Sequence, residues 1–338
     1  MSTQEWETLA NQAIGAAGVM YFLALLAHLV EWSFAVSRRS TESEQVTVAV
    51  GSVPAPASPI TADREAEERR EQRVAMFARL GFVLTVFALL CHAGSMVARG
   101  LAADRVPWGN MYEFTVAGVF FLVATYVVAY QRLKLNWIAP FVLGTAIVLL
   151  TLGVVALYAP VAPLTEALNS YWLVIHVISA IIATGAFILG GLMSVLYLLK
   201  DRFSWRWLER VPSLAVLDRV SYRVHAFAFP VWTFAVLITG PIWAHEAWGT
   251  YWNWDPKEVS AFVTWVIYAA YLHARATAGW KGSKAAMIAV VGVASALFNL
   301  IGVNYFSSAS QHSYASAPAL SSQNVGPAAT AGPGDPRG

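Results

Sequence analysis

The sequence predicts an all-α, polytopic membrane protein with about eight transmembrane helices and an external tryptophan-rich loop. Three observations lead there. Apolar runs of spanning length recur along the 338 residues. Only 12% of the residues are charged, against about 25% in soluble domains. Lys and Arg crowd into alternate connections.

A spanning helix needs about 20 mostly apolar residues. Runs at 12–36, 74–98, 112–130, 137–158, 172–199, 223–245, 257–276 and 285–305 qualify. They account for the mean hydropathy of +0.54. Glu5 and Glu7 precede the first run, with no basic residue before it. A cleaved signal peptide has a positive start, so 1–36 reads as a retained first transmembrane helix. Residues 37–73 read as a cytoplasmic linker, rich in Pro, Ala and Val over 46–60. Its charged end, TADREAEERREQR at 61–73, is expected to lead helically into the second span. Residues 74–314 form the main transmembrane domain, with an external loop at 246–257. The tail 315–338, rich in Ala, Ser, Gly and Pro, is predicted to be disordered and external.

Charge placement sets the orientation. With the N-terminus outside, the inner segments hold seventeen basic residues: six from Arg38 to Arg73, Arg132 and Lys134, six from Lys200 to Arg223, and Arg275, Lys281 and Lys284. The outer segments hold Arg99, Arg105, Lys257 and Arg337. An even number of spans then puts both termini outside the cytoplasm. The single cysteine, Cys91, leaves no internal disulfide and no C-x-x-C pair, which excludes a dithiol exchanger.

The outer segment WAHEAWGTYWNWDPKE at 243–258 concentrates Trp243, Trp248, Tyr251, Trp252 and Trp254. An interfacial aromatic belt is one reading. A belt places one or two rings at a helix end, whereas this density suits a large planar apolar ligand. Asp255-Pro256-Lys257-Glu258 reads as an N-cap, an N1 proline and the N3 acid of a capping box. That cap would hold the loop rigidly over the seventh span.

A planar aromatic site with histidines suggests haem. His176 lies about four residues, or about 6 Å, into the fifth span. His312 lies seven residues past the eighth span, so both can occupy the outer level. His273 is about 17 residues into the seventh span, about 25 Å deeper. Ligands approach a metal to about 2 Å, so His273 cannot share an iron with the other two. Two sites are implied, one outer and one inner. His28 matches His273 in depth. For His28, His92, His225 and His245 a packing or interfacial role is expected.

W-G-x-Y-W-x-W-D-P-K-E at 248–258 resembles the tryptophan-rich signature of the cytochrome c assembly family, in its CcsA/ResC-type, System II branch. Y-W-L-V-I-H-V at 171–177, Y-L-H-A-R at 271–275 and Q-H-S-Y at 311–314 resemble its histidine-bearing segments. P-W-G-N-M-Y-E at 107–113 resembles an outer motif before a span. His245 stands where another polar residue is expected, and the linker 37–73 is peculiar to this chain.

The resemblance implies a haem-handling protein of c-type cytochrome biogenesis in a bacterial cell membrane. His176 and His312 would ligate haem b at the outer site, and His273 would ligate it within the membrane. Trp243, Trp248, Tyr251, Trp252, Trp254, Asp255 and Glu258 would line the outer site. A ResB-like companion subunit would supply the second inner ligand, and C-x-x-C-H apocytochromes would receive the haem as thioethers. A thiol-reductant protein and membrane lipid complete the implied partners, with no nucleic acid. The chain offers no nucleophile of its own, so its part in a haem lyase would be binding and orientation. Two alternatives stay open: a haem exporter without synthase activity, and a b-type electron-transfer subunit.

Overall fold

A computed structural model describes residues 1–49, 60–133, 136–161 and 170–303 of the chain. Its α-helices are α1 (Thr3–Ala49), α2 (Ile60–Ala103), α3 (Met111–Leu133), α4 (Ala139–Ala156), α5 (Tyr171–Arg202), α6 (Leu214–Thr233), α7 (Gly240–Trp248), α8 (Pro256–Thr277) and α9 (Ser283–Leu297). A π-helical turn, Phe234–Thr239, joins α6 to α7 without a break, and a second, Phe298–Gly302, extends α9. Eight continuous helical stretches result among the described residues, as the apolar runs predict.

Seven of these stretches are long and apolar enough to cross a membrane. The eighth, α8, has a spanning length of 22 residues but carries Lys257, Glu258, His273 and Arg275. It packs against α6 and α9. The sixth stretch starts at Leu214, nine residues before its expected start at 223, because α6 has an amphipathic leading portion. The charged residues expected to lead into the second span are part of α2. Glu and Arg are good helix formers, and Glu65 pairs with Arg69 one turn on at 3.1 Å, worth a few tenths of a kcal/mol.

Helices α1 and α2 form a long antiparallel hairpin. Ser95 Oγ donates to the Ala10 carbonyl at one end, and Phe34 stacks on Phe77 at the other. Small buried residues, among them Ala10, Ala17, Ala24 and Ala88, let the two backbones approach. In a bilayer that close packing, rather than escape from water, drives helix association. The hairpin leans on α3 and α4, while α5 packs on α3, α6 and α9. Phe187 of α5 stacks on Tyr268 of α8 at 3.8 Å between centroids.

The connections expected outside share one end of the bundle. There Glu113, at the start of α3, is buried and accepts from Arg99 Nε at 2.8 Å, Arg105 Nη1 at 2.7 Å and the Gly109 N–H at 2.6 Å. Arg99 also donates to the Ala159 carbonyl beyond α4. Two guanidinium partners and a backbone donor offset the desolvation of this carboxylate. They fix the 104–110 loop, which carries Trp108. At the opposite end Arg275 of α8 grips Asp218 of α6 through two bonds, 2.5 and 3.1 Å.

Candidate functional site

The tryptophan-rich end opens into a cavity of about 1200 Å³, its mouth included, between α3, α5, the α6–α7 stretch, α8 and α9. Helix α5 lines it from Leu173 to Thr184, a depth of about 16 Å at 1.5 Å per residue. Trp108, Met111 and Phe114 form the α3 wall, with Trp232 deep on α6 and Trp243 on α7. Tyr251 and Trp252 of the loop and Asn299 and Leu300 of the second π turn complete the enclosure. The lining is largely apolar and aromatic, which suits a flat hydrophobic ligand.

One imidazole enters this cavity with its tautomer set. Ser170 caps α5 by accepting the Trp172 N–H at 3.1 Å, which starts the helix just before His176. His176 Nδ1–H donates to the Ala235 carbonyl at 2.9 Å. That carbonyl belongs to the first π turn, where it also accepts from the Gly240 N–H and from Thr239 Oγ1. Pro241 lacks an N–H for the carbonyl four residues earlier, and its ring crowds that position. A π turn accommodates both defects. Gly240 leaves the room beside it: a Cβ there would meet the Ala235 oxygen at 3.0 Å and the His176 ring at 3.2 Å.

The bond through Nδ1 leaves the imidazole lone pair on Nε2, the arrangement that orients metal-ligating histidines. The ring lies nearly parallel to the Trp243 indole, at 12° and 6.1 Å. Trp243 is itself buried and braced edge-on by Trp248 at 4.7 Å. A fixed imidazole inside an aromatic cavity fits haem iron and its macrocycle.

The loop over the cavity is held by short-range bonds. Gly249, at φ 75°, ends α7 in the left-handed conformation. Asp255 caps α8 with Pro256 in the first turn, and Glu258 completes the capping box expected from the sequence. Glu258 accepts the N–H groups of Asn253 and Asp255 at 2.9 and 3.2 Å. Asn299 donates to the Lys257 carbonyl at 2.7 Å, which ties the second π turn to the start of α8. Trp254 sits between these anchors at φ 57°, a strained value for a residue other than glycine.

Residues 108–309 match the family model described as cytochrome C assembly protein. The chain belongs to the cytochrome c assembly family. It is 32% identical over 259 residues to the cytochrome c biogenesis protein CcsA of Guillardia theta, covering 70% of this chain and 85% of that one. It is 31% identical over 300 residues to the CcsA of Gloeobacter violaceus, covering 72% and 88%. Among solved structures it resembles the cytochrome c heme lyase CcmF, with a TM-score of 0.58 at 14% identity. That likeness spans 89% of this chain and 47% of the other, and it is one of fold. The protein is therefore a CcsA-type assembly factor, integral to a membrane, that acts in cytochrome c biogenesis.

In this assembly factor His176, Trp243, Tyr251, Trp252 and Glu258 line the cavity. Trp248 packs behind Trp243, and Asp255 is buried as the helix cap. Trp254 is 76% exposed, edge-on to Trp252 at 5.9 Å. His312 lies outside the described residues. His273 lies seventeen residues beyond Pro256, on an exposed face of α8 and far below the cavity mouth.

The remaining histidines are engaged elsewhere. His92 donates to the Val116 carbonyl at 3.0 Å and accepts from Tyr21 Oη at 3.3 Å. His28 bonds Glu31 at 2.8 Å. His225 bonds the Ser221 carbonyl at 2.8 Å, and His245 stacks on Tyr251 at 4.3 Å. Reading the sequence missed several lining residues: Trp108, Met111, Phe114, Trp232, Lys257 and Asn299. The 107–113 motif was the visible signal for the first two of them.

Proposed function

We propose that this chain binds haem b and presents it at the outer cavity for covalent attachment to C-x-x-C-H apocytochromes, together with a ResB-like companion subunit. The observation that carries this reading is His176: a tautomer-fixed imidazole against Trp243, inside a largely apolar and aromatic cavity. His312 is the proposed second outer ligand. His273 is the proposed inner ligand, with its partner ligand on the companion. The outer site faces the extracytoplasmic side of a bacterial cell membrane, and a thiol-reductant protein keeps the substrate cysteines as thiols.

Attachment adds each substrate S–H across a haem vinyl group: the sulfur bonds one vinyl carbon and the proton goes to the other. The addition is redox-neutral. The chain's contribution is geometric: its imidazole fixes the iron, its indoles and Tyr251 fix the macrocycle plane, and the capped loop limits water. Positioning of this kind can supply most of the barrier reduction for a bimolecular addition.

The test is co-expression with a ResB-like subunit and a C-x-x-C-H apocytochrome in a host lacking its own maturation system, followed by staining for covalent haem. Haem-stained cytochrome that depends on this chain is the expected result. Haem-loaded complex with no covalent product would point to export without synthase activity.

A further inference from the structure

The cavity wall holds one side chain that an apolar macrocycle alone does not explain. Among the described lining residues Lys257 is the sole Lys or Arg. It occupies the second position of α8, at the outer end, where a lysine would ordinarily extend its ammonium into water. Here it is only partly exposed, and Nζ lies over the Phe114 ring of α3 at 5.9 Å, directed across the cavity wall. Its place in the first helical turn is also adverse, since a helix N-terminus favours anions over cations.

The backbone around it is built to keep it there. The Lys257 N–H donates to Asp255 Oδ1 at 2.8 Å, and its carbonyl accepts Asn299 Nδ2 at 2.7 Å. The adjacent Glu258 carboxylate holds the Asn253 and Asp255 N–H groups of the loop. Glu258 also lines the cavity, but its carboxylate is engaged with the loop N–H groups, so a cation at this largely aromatic wall suits a ligand with an anionic edge. Haem has one, because its two propionates project from a single side of the ring.

We propose that Lys257 recognises a porphyrin propionate, fixing the rotation of the macrocycle about the His176–iron axis and selecting free-acid porphyrins over neutral ones. The proposal rests on the haem-binding reading above and adds the polarity of the bound ring. With one carboxylate edge held at Lys257, the rest of the ring has a single orientation toward an incoming thiol.

The experiment uses the purified full chain in neutral detergent free of anionic lipid, so that no phospholipid phosphate can occupy the site. A His273→Ala background confines the titration to the outer cavity. Ferric haem and its dimethyl ester are titrated by absorbance into protein carrying Lys257, Lys257→Gln or Lys257→Arg. Losing one charge-assisted contact should weaken haem binding roughly ten- to hundredfold in Lys257→Gln. Binding of the dimethyl ester should stay unchanged, and Lys257→Arg should retain most of the haem affinity. Equal weakening of both porphyrins in Lys257→Gln would make the residue structural and overturn the proposal. So would haem binding indifferent to the substitution. If the Lys257 protein binds neither porphyrin, the haem-binding reading itself fails, a distinct result.

Discussion

Gly240 gives experimental access to a contact that cannot be mutated directly, the bond from His176 to a backbone carbonyl. Replacing a helical glycine with alanine normally stabilises a helix by about 0.5–1 kcal/mol. At this position the new Cβ would meet the Ala235 oxygen at 3.0 Å and the His176 ring at 3.2 Å. Comfortable carbon contacts begin near 3.5 Å, so the ring must retreat by about 0.3–0.5 Å. That retreat stretches the 2.9 Å Nδ1 bond, whose net value is about 0.5–1.5 kcal/mol. Gain and loss cancel to within about 1 kcal/mol, so Gly240→Ala should fold and melt much as the natural protein does. Its haem should differ. Losing the group that orients a metal-bound histidine typically costs 10–100-fold in affinity. Absorbance titration with haem, beside a thermal melt of the same sample, measures both quantities. An unchanged melt with unchanged haem affinity and spectrum would refute the claim that the π turn sets the ligand.

His176→Ala and His312→Ala should each lower the yield of haem-stained cytochrome, and added imidazole should restore part of it by filling the vacated axial position. Full activity of both variants without imidazole would remove these residues from the outer site. Asp255→Ala forfeits a helix cap worth about 1 kcal/mol, too little to unfold eight packed helices. The expected variant is stable and haem-loaded but delivers less haem, so an undiminished cytochrome yield would reduce Asp255 to a dispensable cap.

What the sequence made legible follows from periodicity and local chemistry. Eight helical stretches were readable because each apolar run is long enough for a bilayer. The cap at Asp255 was readable because its acceptor and its N3 acid lie within four residues of each other. The cavity was only half readable. Trp108 and Phe114 line one cavity with His176 across some sixty residues of chain, a grouping that no local pattern encodes. The π turn left one trace, Pro241 after Gly240, but a proline within a helical run reads equally well as a kink. Trp243 and Trp254 share one aromatic stretch, yet one is 2% exposed and the other 76%. The difference lies in backbone: Trp243 sits in regular α7, whereas Trp254 takes a φ of 57° between two anchored residues.

Depth along a helix is legible in a sequence, and direction around the bundle is not. His28 and His273 have nearly equal expected depths, about 24 and 25 Å from the outer side, so a haem shared between them was conceivable. Their neighbours argue otherwise. Helix α1 packs on α2 and α4, whereas α8 packs on α6 and α9. His28 is fully buried, bonded to Glu31 at 2.8 Å, with its ring against Gly81. His273 stands on the exposed face of α8, along the same stripe as Phe262, Val263 and Val266. An ionisable side chain on a lipid-facing stripe is costly, and a companion subunit laid over that stripe with a ligand at the same depth would offset the cost. An inner site built on His273 would therefore be completed by a second protein. Purified complexes carrying His28→Ala or His273→Ala distinguish the two arrangements, scored as haem per folded protein because loss of His28 strands a buried carboxylate. His273→Ala should reduce inner-site haem and cytochrome yield, while His28→Ala should lower stability and leave the haem spectrum of the folded fraction intact. If His28→Ala reproduces the spectral loss of His273→Ala, the companion-ligand account is wrong and this chain holds its inner haem alone.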